Sequence, residues 1–462
     1  MSFLESVMRF FPEVSKPTQK KLSFKEKLKW TLITLVLFFV MSLIPLYGLG
    51  PNMLEQFEML SIILGANFGS ILSLGIGPIV TASIVLQLLN GSGIMKLDMH
   101  SPAGRKKFQA IQKLLAVFFI IFEALIYVFM GGLNPPTVYL NTAYYLPLQF
   151  VLVFQLCLGG FLIMFMDEVI SKWGFGSGIS LFIAAGVSQQ IFLGALSPLA
   201  SPKNPDVATG AIPALIQSIA RGDPQSALIY FAQVASTILI FLIAVYSQSV
   251  KVEIPLSFGR VRGHGIRWPL NLFYTSNIPV ILVAALLANI QLWGRLLDRW
   301  GWSILGTFSN NYPVSGLVAW VNSPNLMENI LTGSVTLSHL AQSGVYLLIM
   351  ILGSVIFAIF WMQTANMDAK SQANQIMSSG LQMPGFRRDP RILETILNRY
   401  IWPLTIMGGA AVGLLAAVAD LSGALSRGTG ILLTVMIVYK LYEEVAKQHM
   451  MDMHPMMRKF MG

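Results

Sequence analysis

The sequence predicts an all-α polytopic membrane protein of about ten transmembrane helices, and three observations carry that prediction. The chain has 462 residues, 55% of them hydrophobic and only 11% charged, with a mean hydropathy of +0.66; a soluble domain carries roughly 25% charged residues. Apolar runs recur along it at the length needed to cross a bilayer core, about 20 residues of helix. Charge is also distributed unevenly. If the N-terminus is cytosolic and the spans alternate, 26 of the 31 Lys and Arg fall in cytosolic segments, leaving Lys203, Arg221, Arg295, Arg299 and Arg427 outside. The positive-inside rule then requires an even number of spans, with both termini cytosolic.

Residues 1–29 hold Arg9 and six lysines and lack a small-residue cleavage site before the apolar run, so they do not read as a secretory signal. Phe3, Leu4, Val7, Met8 and Phe11 recur at helical spacing and predict a short amphipathic helix on the membrane surface. Residues 30–54 form the first span. The stretch that follows, to Leu89, is free of charge from Met59 to Met95 but is interrupted by Gly65, Asn67, Gly69, Ser70, Ser73, Gly75, Gly77 and Pro78. One reading is a segment too short to span, then a small-residue hinge and a second helix from about Pro78. Its loosened backbone would be tolerated only inside protein or beside a water-filled cavity. The other reading is one long helix kinked at Pro78.

The third span is expected at 114–130, the fourth at 144–166, and the fifth from near Ser177. After an external loop at 197–224 come the sixth at 225–250 and the seventh at 277–292. Residues 295–341 hold only weak span candidates. The eighth lies at 345–364, the ninth at 400–419 and the tenth at about 428–442. Polar cytosolic loops are expected at 96–113, 251–268 and 368–399, and a cytosolic tail at 447–462. The spans divide into halves, 30–196 and 225–446. Five spans are an odd number, so any internal repeat must be inverted; no clear self-similarity between the halves is visible in the sequence.

Several chemistries lack their residues. None of the five histidines lies clearly inside a span, and no HExxH, Walker loop or GxSxG turn occurs. Gly174, Gly176 and Gly178 sit beside a span rather than between a strand and a helix, which argues against a phosphate cradle. No enzyme, cofactor or metal is expected, and the single cysteine, Cys157, permits no intrachain disulfide. An ion-coupled secondary transporter of small solutes is the competing reading, because such proteins also use inverted repeats and broken helices. Its ionisable candidates are sparse: Glu123 and Asp420.

The stretches LGIGPIVTASIVLQLLNGSGI, DEVISKWGFGSGISLFIAAGVSQ, TSNIPVILVAALLANIQLWG and GTGILLTVMIVYKLYEE together resemble the SecY family, the alpha subunit of the Sec protein translocation channel. KEKLKW and PLSFGRVRGHGIRWPLN point to its archaeal or eukaryotic branch. The resemblance runs along essentially the whole chain. It implies two pseudo-symmetric inverted five-helix halves around an hourglass pore, and a protein-conducting channel with a plug at about 54–70 that includes Leu54, Ile62, Ile63, Leu64 and Gly65. It implies a pore ring of Ile76, Val80, Ile179, Ile183, Ile281 and Leu433, and a lateral gate holding Thr81, Glu123 and Asn289. Arg260, Arg262 and Arg267 in one basic loop, and Arg387, Arg388 and Arg391 in the next, would dock the ribosome through rRNA phosphates. The implied partners are small membrane subunits of SecE/gamma and beta type, the signal-recognition system, nascent chains bearing signal sequences, and the lipid bilayer. The implied membrane is the plasma membrane in an archaeon and the endoplasmic reticulum in a eukaryote.

Overall fold

Among the described residues, ten apolar helices, five before residue 200 and five after it, build the protein. The computed structural model describes residues 13–18, 22–50, 68–91, 94–95, 97, 101–199, 207–258, 265–275, 277–309, 312–378, 381–382, 389–426 and 428–453. The first set is α1 (Phe24–Ser42), α2 (Gly77–Gly91), α3 (Pro102–Phe129), α4 (Tyr145–Trp173) and α5 (Gly178–Leu196). An amphipathic helix, α6 (Ala211–Arg221), leads into α7 (Pro224–Ser249), and α8 (Ile278–Arg299) follows a β-hairpin. Short helices α9 (Gly316–Val321) and α10 (Leu326–Leu331) precede α11 (Leu337–Thr364). Then come α12 (Ala369–Ser378), α13 (Pro390–Leu421) and α14 (Gly428–Met453).

Seven of these helices are long and apolar enough to cross a membrane unaided. The other three that complete the ten are α1, α2 and α14. Lys25, Glu26, Lys27 and Lys29 crowd the first turns of α1, α2 has 15 residues, and α14 carries Lys440, Glu443 and Glu444 in its second half. Local chemistry sets the starts. Ser23 and Glu26 form a reciprocal capping box on α1. Ser101, Asp223 and Asp389 cap α3, α7 and α13, each followed by a proline at the first helical position.

The boundaries differ from expectation in instructive ways. The first span starts at Phe24 and stops at Ser42 rather than running to 54, because the chain at 44–46 turns to pair with the segment after the break. Leu46 N–H donates to Gly69 O at 2.9 Å, and Ile71 N–H to Ile44 O at 3.0 Å. Residues 68–76 form successive turns, and α2 begins at Gly77 with Pro78 in its first turn, so the broken reading holds for the described part and Pro78 does not kink a long helix. Ser73 Oγ accepts from Gly69 N–H and Ser70 Oγ from Leu72 N–H, which supplies partners to backbone groups that a helix would have satisfied. Leu72, Leu74 and Ile76 beside them are buried. Helix α4 covers this segment: a Cβ at Gly159 would collide with the Ile71 carbonyl oxygen, so only glycine permits the approach.

Residues 251–268, expected as a loop, form a hairpin of β1 (Lys251–Phe258) and β2 (Gly265–Asn271), so the protein is not purely helical. In the expected loop 368–399, α12 folds, β5 (Leu381–Gln382) adds to β1, and α13 begins at Pro390. Ile254 and Leu270 of the hairpin bury against α12 and α13. The weak segment 295–341 folds as the end of α8, a two-residue hairpin of β3 (Phe308–Ser309) and β4 (Tyr312–Pro313), and α9 and α10. The N-terminal amphipathic stretch, apart from residues beyond 12, lies outside the described residues.

Candidate functional site: an apolar neck beneath a cavity

Four helices meet at the centre of the bundle. Ile76 comes from the turn just before α2 and Val80 from its first turn, Ile179 and Ile183 from the first turns of α5, Ile281 from α8 and Leu433 from α14. They share one continuous apolar cluster. Ile76, Ile183 and Leu433 are each 1% exposed, Val80 4% and Ile281 5%; Ile179 is half-buried.

Above this cluster lies a cavity of about 640 Å³. Apolar side chains make up most of its lining, with Gln87, Gln109, Gln112, Asn277 and Lys440 supplying polar groups. Its apolar lining includes Val80, Ile179 and Ile281, while Ile76, Ile183 and Leu433 lie beyond it. Half of the expected ring therefore lines the cavity and half is buried beyond it. A neck with no donor, acceptor or charge to replace hydration excludes ions by dewetting. The plug candidates Leu54, Ile62, Ile63, Leu64 and Gly65 lie outside the described residues.

The expected gate residues come together across the two halves. Asn289 Nδ2 on α8 donates to Thr81 Oγ1 on α2 at 3.0 Å. The Thr81 hydroxyl donates to Gly77 O at 2.8 Å and lies 3.3 Å from Glu123 Oε1 on α3. Glu123 is 2% exposed, and both Glu123 Oε2 and Asn289 Oδ1 are buried with no hydrogen-bond partner among the described residues. This network is closed but under-satisfied, which makes it weak for its burial. Sequence reasoning missed the aromatic pair beside it. Phe122, next to Glu123, meets Trp293, one turn beyond Asn289, with ring centroids 5.7 Å apart. The i,i+4 spacing of Asn289 and Trp293 was the available signal.

Of the arginines expected to dock, Arg260, Arg262, Arg387 and Arg388 lie outside the described residues, Arg267 is placed in β2 by its backbone, opposite Pro255, and Arg391 sits in the first turn of α13, its N–H donating to Asp389 Oδ1 at 2.9 Å. The strands flanking them are described. Ser257 pairs with Gln382 and Phe258 with Leu381, so the sheet joins the two basic loops at one edge. Nearby, Tyr274 donates its hydroxyl to Met367 O at 2.6 Å, and burial, with the Asp368 charge, pushes its pKa up. On the first half, a hydrogen bond from Lys172 at 2.8 Å holds the Glu13 carboxyl below its usual range.

Comparison with known proteins places these features. The SecY family model matches residues 70–442, and a model described as the plug domain of Sec61p matches 36–69. The protein translocase subunit SecY of Methanothermobacter thermautotrophicus is 46% identical, covering 99% of this chain and 98% of its own. That of Pyrococcus furiosus is 43% identical over 98% and 97%. Among solved structures, a protein-conducting channel superposes with a TM-score of 0.84 at 41% identity, covering 98% of this chain and 99% of the other. Sec61 from the canine ribosome-channel complex of the endoplasmic reticulum gives 0.81 at 39% identity, with the same coverage.

Proposed function

The chain belongs to the SecY family, and from that premise we propose that it is the central pore-forming subunit of a Sec translocon. It conducts unfolded secretory polypeptides across the membrane and releases transmembrane segments sideways into lipid. The observation that carries this reading is the aliphatic neck beneath a cavity whose lining mixes apolar and polar side chains. Flexible aliphatic walls can close around a passing chain without selecting among its side chains, and they offer ions nothing when the chain is absent. The transporter reading receives no such support, since Glu123 is engaged with Thr81 at the junction of the halves rather than facing the cavity.

The halves at 30–196 and 225–446 part at this junction to form the lateral gate, and both termini face the cytosol. The protein catalyses no reaction. Driving energy comes from a partner, most simply the translating ribosome, whose rRNA phosphates meet the arginines of the two joined loops. Small SecE/gamma-type and beta-type subunits clamp the channel, and the signal-recognition system delivers the chains.

Arg260→Glu combined with Arg387→Glu tests the docking and the conduction together. Ribosome cosedimentation with channel-containing vesicles is expected to fall, its salt dependence to flatten by about one phosphate contact per arginine, and protease protection of a secretory chain to fall in parallel. Undiminished binding leaves these arginines a topological role alone; undiminished protection without binding removes the ribosome as the driving partner.

A further inference from the structure

Two aspartates stand at corresponding places in the two halves. Asp167 lies near the end of α4 and Asp420 near the end of α13; each is followed by a turn and then by a helix that carries ring residues. Asp167 Oδ1 accepts from the Ile179 N–H at 3.0 Å. Asp420 Oδ1 accepts from the Thr429 N–H at 2.8 Å, and its Oδ2 accepts from the Thr429 hydroxyl and, at 2.6 Å, from the Tyr346 hydroxyl of α11. In both cases the captured amide lies one helical turn before a ring residue: Ile179 before Ile183, and Thr429 before Leu433.

The sequences at these places match as well. Gly176-Ser177-Gly178-Ile179 leads into α5, and Gly428-Thr429-Gly430-Ile431 begins α14. The captured amide is the fourth residue of the first motif and the second of the other, so the two grips are alike but not superimposable. The helices run antiparallel. Gly176 at the start of α5 lies beside Glu444 late in α14, and Gly194 at the end of α5 lies beside the Leu425 carbonyl ahead of α14. The two carboxylates therefore grip the helix pair from opposite ends.

The first N–H groups of a helix have no partner within it, and a carboxylate placed there makes a charge-assisted bond aligned with the helix dipole. At Asp167 the grip is close: a Cβ on Gly178 would lie 2.6 Å from the Asp167 Cα, so no side chain fits between. We propose that Asp167 and Asp420 are paired positioning residues, each fixing the axial height of one ring helix so that the apolar neck closes. A gap of less than a methyl group between aliphatic walls already forfeits much of their contact, so a small slide of α5 or α14 opens the seal. The proposal rests on the ring reading of Ile183 and Leu433.

The test measures resting ion conductance per channel, with the full chain and its small subunits in planar bilayers. Asp167→Ala and Asp420→Ala are expected to raise it about tenfold, the population change that follows from losing one hydrogen bond to a charged group. Asp167→Asn and Asp420→Asn keep an acceptor for the amide and are expected to restore the seal. Ile183→Asn serves as the reporter of the ring itself. Alanine variants as tight as the parent, beside a leaking Ile183→Asn, overturn the proposal; a tight Ile183→Asn overturns the ring reading instead. A cap with a merely structural role would lower the yield of folded channel and leave conductance per channel unchanged. If the alanine variants do not accumulate, Thr429→Val with Tyr346→Phe and, separately, Asp167→Glu take their place. Raised conductance supports the proposal, and parental conductance overturns it.

Discussion

Asparagine at Ile76 and Ile183 together is expected to leave the resting channel open to ions. Both side chains are buried in the neck, each 1% exposed, among neighbours that are themselves apolar. An amide there has no partner within the closed neck. Burying it unpaired costs about 1–3 kcal/mol per group on mutational scales, and admitting water removes that cost. Two such groups shift the balance from dry to wet by at least about tenfold. Leucine at the same positions nearly conserves volume and polarity, so the seal should survive. Conductance of purified channels in planar bilayers separates the outcomes. Equal, low conductance in the asparagine and leucine variants would show that these residues are ordinary core.

Leucine at Thr81, Glu123 and Asn289 together is expected to make the gate harder to open. The network joins α2, α3 and α8, yet Glu123 Oε2 and Asn289 Oδ1 are buried without partners among the described residues. Replacing a half-satisfied buried network by packed aliphatics is commonly neutral or stabilising, whereas leaving one polar member behind is costly. The triple change should therefore stabilise the closed arrangement by about 2 kcal/mol, comparable with burying one more leucine. A signal sequence should then need about one further leucine to insert. Insertion of a graded hydrophobicity series measures the threshold. An unchanged threshold would detach this cluster from gating.

The spans were legible because the bilayer demands long apolar runs, and the gate trio emerged through family motifs and then met in space. The break before α2 was legible from its glycines and serines. What replaced the helix was not: the return of residues 44–46 onto 69–71 is a long-range pairing with no local signal. The hairpin at 251–271 was overlooked although its pattern is present. Val252, Ile254 and Leu256 alternate, as do Ile266, Trp268 and Leu270, and they face one another in register; Pro255, Pro269 and the surrounding charge disguised that period of two. Helices α9 and α10 are six residues each, too short for periodicity to declare itself. The aspartate grips were hidden for a related reason. Ordinary caps lie two or three residues from the amide they serve, whereas Asp167 and Asp420 reach amides twelve and nine residues onward.

A cysteine at Ile179, in a chain whose Cys157 has been replaced, tests the central claim most directly. Ile179 is half-buried and lines the cavity at the neck, so a reagent there meets whatever passes. A stalled nascent secretory chain should form a strong adduct at this position, and the adduct should vanish when its signal sequence is deleted. A folded, well-expressed channel that yields no adduct, while a control position on the same nascent chain reacts, would contradict a polypeptide pore at this neck.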